Sequence, residues 1–187
     1  MTLSSDLFFV SDHHFSHANF LNFKKPDGHP CRPFNSVHEM DETMILNHNS
    51  VVRPSSKVYF LGDVCFKSWQ RMDEILPRMN GKKRLILGNH DHFPIEHYAK
   101  HFQKIMSWRQ FKQFKKPFIC CHYPLHKANL TRGKTGGVHC VHGHVHQYDV
   151  KIPGTQVPDP QYVNVCVEKI NYTPVELEEL YKMMHDF

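Results

Sequence analysis

The sequence predicts an α/β fold whose working residues sit at the carboxyl ends of its strands. Two observations predict it. Leu7–Val10, Val58–Leu61 and Arg84–Leu87 are apolar runs of strand length. Each leads into glycine or into polar residues suited to metals: Asp12-His13-His14, Gly62-Asp63 and Gly88-Asn89-His90-Asp91. Helical segments fit between the runs, and in such sheets the site lies outside the carboxyl strand ends.

The first helix is expected from Ser36 to about Asn49. Ser36-x-x-Glu39 has the form of a capping box, and Met40, Met44 and Ile45 follow at helical spacing. Trp69 to Met79 is a second helix that Pro77 should end early. Asn80-Gly81 is a turn. Pro94 to Phe102 is a third helix, with proline at its start. Beyond about Ile105 the pattern becomes strands: Phe118 to His122, Val138 to Val141 and Tyr162 to Val167. Thr173-Pro174-Val175-Glu176 should open a last helix, with Thr173 as N-cap and Val175, Leu177, Leu180, Met183 and Met184 on its buried face. Leu125 to Gly137 and Thr155 to Gln161 are loops. No repeat, low-complexity tract or linker interrupts the chain, so one domain over residues 1–187 is expected.

Bulk properties narrow the function. The chain has 187 residues, enough for a real core, with ordinary hydrophobic (40%) and charged (22%) fractions. The formal charge of +5 favours anionic partners but is too small to establish nucleic-acid binding. No segment approaches the roughly 20 apolar residues of a membrane span, and no signal-like start is present, so a cytoplasmic protein with no membrane partner is expected. Cys31, Cys65, Cys120, Cys121, Cys140 and Cys166 form no C-x-x-C pair and should be reduced, packed thiols. Histidine is the outlier, at 17 residues, and metal ligation is its usual explanation.

Five segments carry the chemistry: the three above, Cys121-His122-Tyr123-Pro124 and Gly143-His144-Val145-His146. Asp12 and His14 are two apart, as are His144 and His146, and strand alternation would aim each pair one way. His13 should then point away. Asp63 has two oxygens and can bridge two cations. Asn89 offers a neutral carbonyl oxygen. His90 could protonate a leaving alkoxide, with Asp91 orienting its imidazole. His122 follows an apolar strand, and Gly143 permits close backbone approach.

In this order the segments resemble the calcineurin-like metallophosphoesterase family, from about Asp12 to His146. The resemblance implies two packed mixed β-sheets flanked by helices, a four-layer α-β-β-α sandwich, here in a small form without a cap. It implies one metal on Asp12, His14, Asp63 and His146, and a second on Asp63, Asn89, His122 and His144. It places His90 as general acid. Two divalent ions are expected, manganese first, with iron, zinc or nickel as the other family metals. They would make hydroxide available between them for in-line attack on phosphorus, with His90 protonating the departing oxygen.

The expected substrate is a small, nucleotide-like phosphodiester. A phosphomonoesterase, or a nuclease on single-stranded DNA or RNA, is the alternative; a non-catalytic scaffold is a third class. Nucleic acid is not favoured: Trp108–Lys116 interleaves aromatics with bases, but such a segment is more often an amphipathic element with its aromatics inside. His17, Arg32 and Lys127 are candidate substrate contacts. Each has a plainer reading: a helix start for His17, a solvated cation for Arg32, and, with Arg132 and Lys134, a soluble loop for Lys127.

Overall fold

The computed structural model describes residues 6–25, 27–112, 116–131 and 137–184. The apolar runs form the strands of the first sheet. β1 (Leu7–Val10), β2 (Lys57–Phe60), β3 (Lys82–Ile86) and β4 (Lys104–Met106) lie parallel in spatial order β4-β3-β2-β1. A second sheet holds β5 (Trp108–Phe111), β6 (Phe118–Cys121), β7 (His139–His142) and β8 (Tyr162–Asn164). β5 is antiparallel to β6, and the other neighbours are parallel. Both sheets are mixed and flanked by helices, as expected.

Strand alternation divides the core. Phe8, Val10, Val58, Phe60 and Leu85 face the helical layer, where they meet Met40, Met44, Ile45, Met72, Ile75 and Tyr98. Leu7, Phe9, Tyr59, Leu61 and Ile86 face the second sheet and meet Phe111, Phe118, Cys120, Val141 and Val163. Both faces of β1 are therefore buried, which is why its sequence is apolar without a break. All six cysteines are buried free thiols.

The helices begin where their caps place them. α1 (Val37–Val51) has Ser36 as N-cap, accepting from the Glu39 amide. Glu39 reaches back one residue further than a capping box requires, to the Asn35 amide at 2.8 Å. α2 (Trp69–Ile75) gives way at Pro77 to a 3-10 turn over Leu76–Arg78. α3 spans only Ile95–Ala99.

The last helix departs from expectation. Val175–Glu176 forms β9, antiparallel to β1, and α4 covers Leu177–Met183. The Thr-Pro-x-Glu signal yields because Val175 pairs with Phe9 and closes the open edge of the first sheet. The Trp108–Lys116 segment begins as an edge strand: Phe111 is buried and Trp108 is exposed, while residues 113–115 lie outside the described residues. No helix among the described residues is long and apolar enough to cross a membrane.

His48 ties α1 to the turn before β3. It is fully buried, and its Nε2 donates to the Asn80 carbonyl at 2.9 Å. Burial lowers its pKa from 6.5 to about 4. The unfolded chain therefore takes this proton first, so stability present above pH 6.5 is lost as pH falls toward 4. A shift of that size is worth about 3 kcal/mol. Urea unfolding of wild type and His48→Gln should show a stability gap that narrows or reverses on acidification. A gap constant with pH would contradict it.

Candidate metal centre

The five chemical segments emerge at one end of both sheets. Past β1 the chain bonds to the continuation of β2: the Asp12 amide donates to Gly62 O (3.0 Å) and the His14 amide to Asp63 O (2.9 Å). Strand alternation is not what aims Asp12 and His14 together. Both have left-handed backbone, φ 59° and 47°, as do Asp63 (54°), His144 (69°) and His146 (51°). An extended path would carry the residues after β1 onward, whereas left-handed turns hold them beside β2. Non-glycine residues adopt this conformation at a cost, and such strain clusters at functional sites.

The backbones also come unusually close. A Cβ on Gly143 would meet Ser11 Oγ and the Asp12 carboxylate, and one on Gly88 would meet the Asp63 carboxylate. Glycine at both positions lets the two sheets bring their side chains to a single point.

Asp63 Oδ2 lies 3.3 Å from His14 Nε2 and 3.5 Å from His122 Nε2. Its other oxygen accepts from the His90 amide at 2.8 Å. Asp12 Oδ1 is 3.8 Å from His14 Nε2 and 3.9 Å from His146 Nε2. Asp12 Oδ2 accepts from the His144 amide at 2.9 Å. Asn89 Oδ1 is 2.9 Å from both His122 Nε2 and His144 Nδ1. The structure thus gathers Asp12, His14, Asp63, Asn89, His122, His144 and His146. Two groups have ligand atoms mutually within 4.8 Å: Asp12, His14 and His146, and Asp12, Asp63 and His122.

The donor set fits divalent cations. Asp12 Oδ1 and His14 Nε2 are buried without a hydrogen-bond partner, a costly state for polar atoms. His122 Nδ1 donates to Leu61 O at 2.7 Å, which turns the Nε2 lone pair toward Asn89 Oδ1. Two lone-pair atoms facing each other repel unless a cation or proton lies between them. Burial opposes charge on Asp12 and Asp63, yet the adjacent imidazoles, His14 foremost, hold both carboxyls below their usual range. Burial likewise opposes charge on His14, but the two carboxylates move its pKa upward. The centre is thus two anions among imidazoles, a set of oxygen and nitrogen donors without thiolate.

The calcineurin-like phosphoesterase family model matches residues 6–185. The chain belongs to that family. An uncharacterized protein of Methanocaldococcus jannaschii, MJ1445, is 33% identical over 180 residues, covering 95% of this chain and 90% of that one. A crystal structure of a protein of unknown function from Aquifex aeolicus, AQ665, shares the fold at TM-score 0.69 and 23% identity, over 95% of this chain and 98% of that one. A structure described as a novel archaeal phosphodiesterase aligns at TM-score 0.46 and 16% identity, over 84% and 81% of the two chains.

In this member of the calcineurin-like phosphoesterase family, three expectations about individual residues change, and His17 takes its helix-start place. Asp91 does not hold the His90 ring: its oxygens accept from the amides of Asp63 (2.8 Å), Val64 (3.0 Å) and Gly88 (2.9 Å). A short carboxylate ringed by three amides serves as a clasp between two strand-end loops, and burial raises its pKa. Arg32 is not at the rim. It is fully buried and donates to Asp12 O and His13 O, both at 2.6 Å. Lys127 is held 2.6 Å from Asp159 Oδ2, because that buried carboxylate needs a cation. Arg132 and Lys134 lie outside the described residues. His17 is beside the centre but buried, its ring 5.8 Å from that of His14. Burial lowers its pKa to about 4 and keeps it neutral. His13 points away as expected, stacked between Phe15 and Phe60.

Glu168 is the residue that sequence reasoning missed. Its Oε1 lies 2.7 Å from Arg32 Nη2 and 3.2 Å from His146 Nδ1. Burial opposes its charge, but Arg32 and His146 hold its pKa down. The carboxylate fixes the ring of His146 so that Nε2 faces Asp12. The available signal was a charge closing the strand-like run Tyr162–Val167, much as Asp63 comes just past Val58–Leu61.

Proposed function

We propose that this chain hydrolyses phosphoesters with two divalent cations, and that its substrate is a small, nucleotide-like phosphodiester. One observation carries the reading: Asp63 Oδ2 lies between His14 and His122, one from each cluster of donors. Asp12, His14, Asp63 and His146 would hold one ion, and Asp63, Asn89, His122 and His144 the other. Manganese suits this donor set, as do iron, zinc and nickel. When bound, such a pair lowers the pKa of water and takes up charge on the phosphoryl oxygens.

The protein's own contribution is orientation and a proton. The Leu61 carbonyl and Glu168 set the tautomers of His122 and His146. Asp63 Oδ1 fixes the backbone of His90, whose ring stands 5.2 Å from that of His14. His90 Nδ1–H or Nε2–H gives its proton to the alcohol oxygen as the P–O bond breaks. Exposed Asn89 and Tyr123 leave the centre open, which suits a small substrate.

The test is reconstitution with manganese, iron, zinc or nickel. Each sample is assayed on bis-aryl phosphate, aryl phosphate, 2′,3′- and 3′,5′-cyclic nucleotides and single-stranded DNA. Absence of both bound metal and turnover would defeat the proposal. Faster turnover of monoesters, or of DNA, would move the substrate class. His90→Asn should keep its metal and lose roughly 10²–10⁴-fold in rate on alkyl leaving groups, with least loss on aryl phosphates. Equal losses on both would remove His90 from the general-acid role.

A further inference from the structure

A cavity of about 810 Å³ opens next to the centre, between the first turns of α1 and α2 and the segment 16–19. Phe66 stands where the cavity meets the centre. Its ring is 5.6 Å from that of His90 and 3.7 Å from that of His17. It is a large aromatic with 39% exposure, and it lines the cavity.

Apart from Lys67, the charges in the cavity wall are mutually satisfied. Arg71 donates to Ser16 Oγ (3.0 Å), Glu74 (2.7 Å) and Asp41 (3.3 Å), and Ser16 donates to Asp41 at 2.7 Å. Two carboxylates thus surround one fixed guanidinium. Lys67, on the rim, has no carboxylate partner among the described residues. The lining therefore sums to near neutrality and does not call for a second phosphate. Asn19 and Gln70 add exposed amides, which offer a donor and an acceptor each.

We infer that this cavity receives a nucleoside as the leaving group, with its base stacked on Phe66 and its edge against Asn19 and Gln70. The inference rests on the phosphoesterase reading and specifies its substrate. The position of His90 supports it: a proton donor to the departing oxygen must face the leaving group, and Phe66 is the surface next to His90 on the cavity side. A flat ring with hydrogen-bonding edges matches an aromatic shelf flanked by amides.

Specificity constants are compared for adenosine 5′-monophosphate against glycerol 3-phosphate, and for the methyl phosphodiesters of adenosine and glycerol. In Phe66→Ala the nucleoside-over-glycerol ratio should fall roughly tenfold, through KM, and Phe66→Trp should restore it. Phe66 is exposed, so neither variant should disturb the fold. An unchanged ratio overturns the inference. Equilibrium binding of adenosine and uridine to wild type and Phe66→Ala is measured alongside. If the metal-loaded wild type hydrolyses none of the esters, the phosphoesterase reading fails, and nucleoside binding alone decides the cavity. Binding weakened by Phe66→Ala upholds the cavity assignment, and no binding by wild type overturns it.

Discussion

Asp63→Asn is expected to lower metal content at both sites and to cut turnover by roughly 10³-fold, or several kcal/mol of transition-state stabilisation. The substitution is nearly isosteric. One oxygen can still accept from the His90 amide, as Asp63 Oδ1 does at 2.8 Å. The change falls on Oδ2, which sits between His14 and His122. An amide nitrogen there brings hydrogens instead of lone pairs and removes a negative charge. Asparagine tolerates the left-handed backbone of this position, φ 54°, so the fold should survive. Metal analysis by mass spectrometry and thermal unfolding together check this. Unchanged stoichiometry would mean that Asp63 does not join the two sites.

Arg32→Met should destabilise the protein by about 3–5 kcal/mol, the usual cost of stripping one partner from a buried ion pair. Arg32 holds Glu168 through Nε (2.8 Å) and Nη2 (2.7 Å), and two carbonyl oxygens beside Asp12 and His14 depend on the same guanidinium. Its cation also lies 3.9 Å from the centre of the Phe20 ring. Without it Glu168 is a buried charge with no cation. The double variant Arg32→Met/Glu168→Gln should recover part of the loss, since the orphaned charge goes with its partner. Metal affinity should still fall, because His146 loses its carboxylate. A single-variant cost below about 1 kcal/mol would show that water replaces Arg32 without penalty.

These two residues mark where the sequence was and was not legible. Asp63 follows the apolar run Val58–Leu61 after one glycine, which marked it as a candidate, and the order of the five segments gave it a role. Arg32 and Glu168 are 136 positions apart, and an isolated arginine in a polar stretch reads as solvent-exposed. Only tertiary structure shows that the ligand loop needs a buried cation to hold its carbonyls. Asp91 failed for a different reason. Adjacency to His90 suggested a side-chain pair, but three backbone amides outcompete one imidazole for a short carboxylate. The start of α4 was misplaced because a sound local cap met a stronger claim, strand pairing with β1. β1, β2, β3, β6, β7, β8, α1 and α2 were legible because apolar run, cap and terminating proline agreed, whereas the short edge strands β4, β5 and β9 were not. The left-handed ligand backbone had no sequence signature: aspartate and histidine visit it only modestly often, and nothing local requires it.

Ligands from both sheets have a kinetic consequence. Asp12, Asp63 and Asn89 follow strands of the first sheet, and His122, His144 and His146 follow strands of the second. In the two-cation arrangement proposed above, neither sheet alone would supply a full set for either ion. An ion can therefore seat only after the two sheets have closed on each other. Like a rivet, it locks parts already aligned and does nothing to align them. Loading should slow the rate at which the sheets come apart and leave the rate of their assembly unchanged.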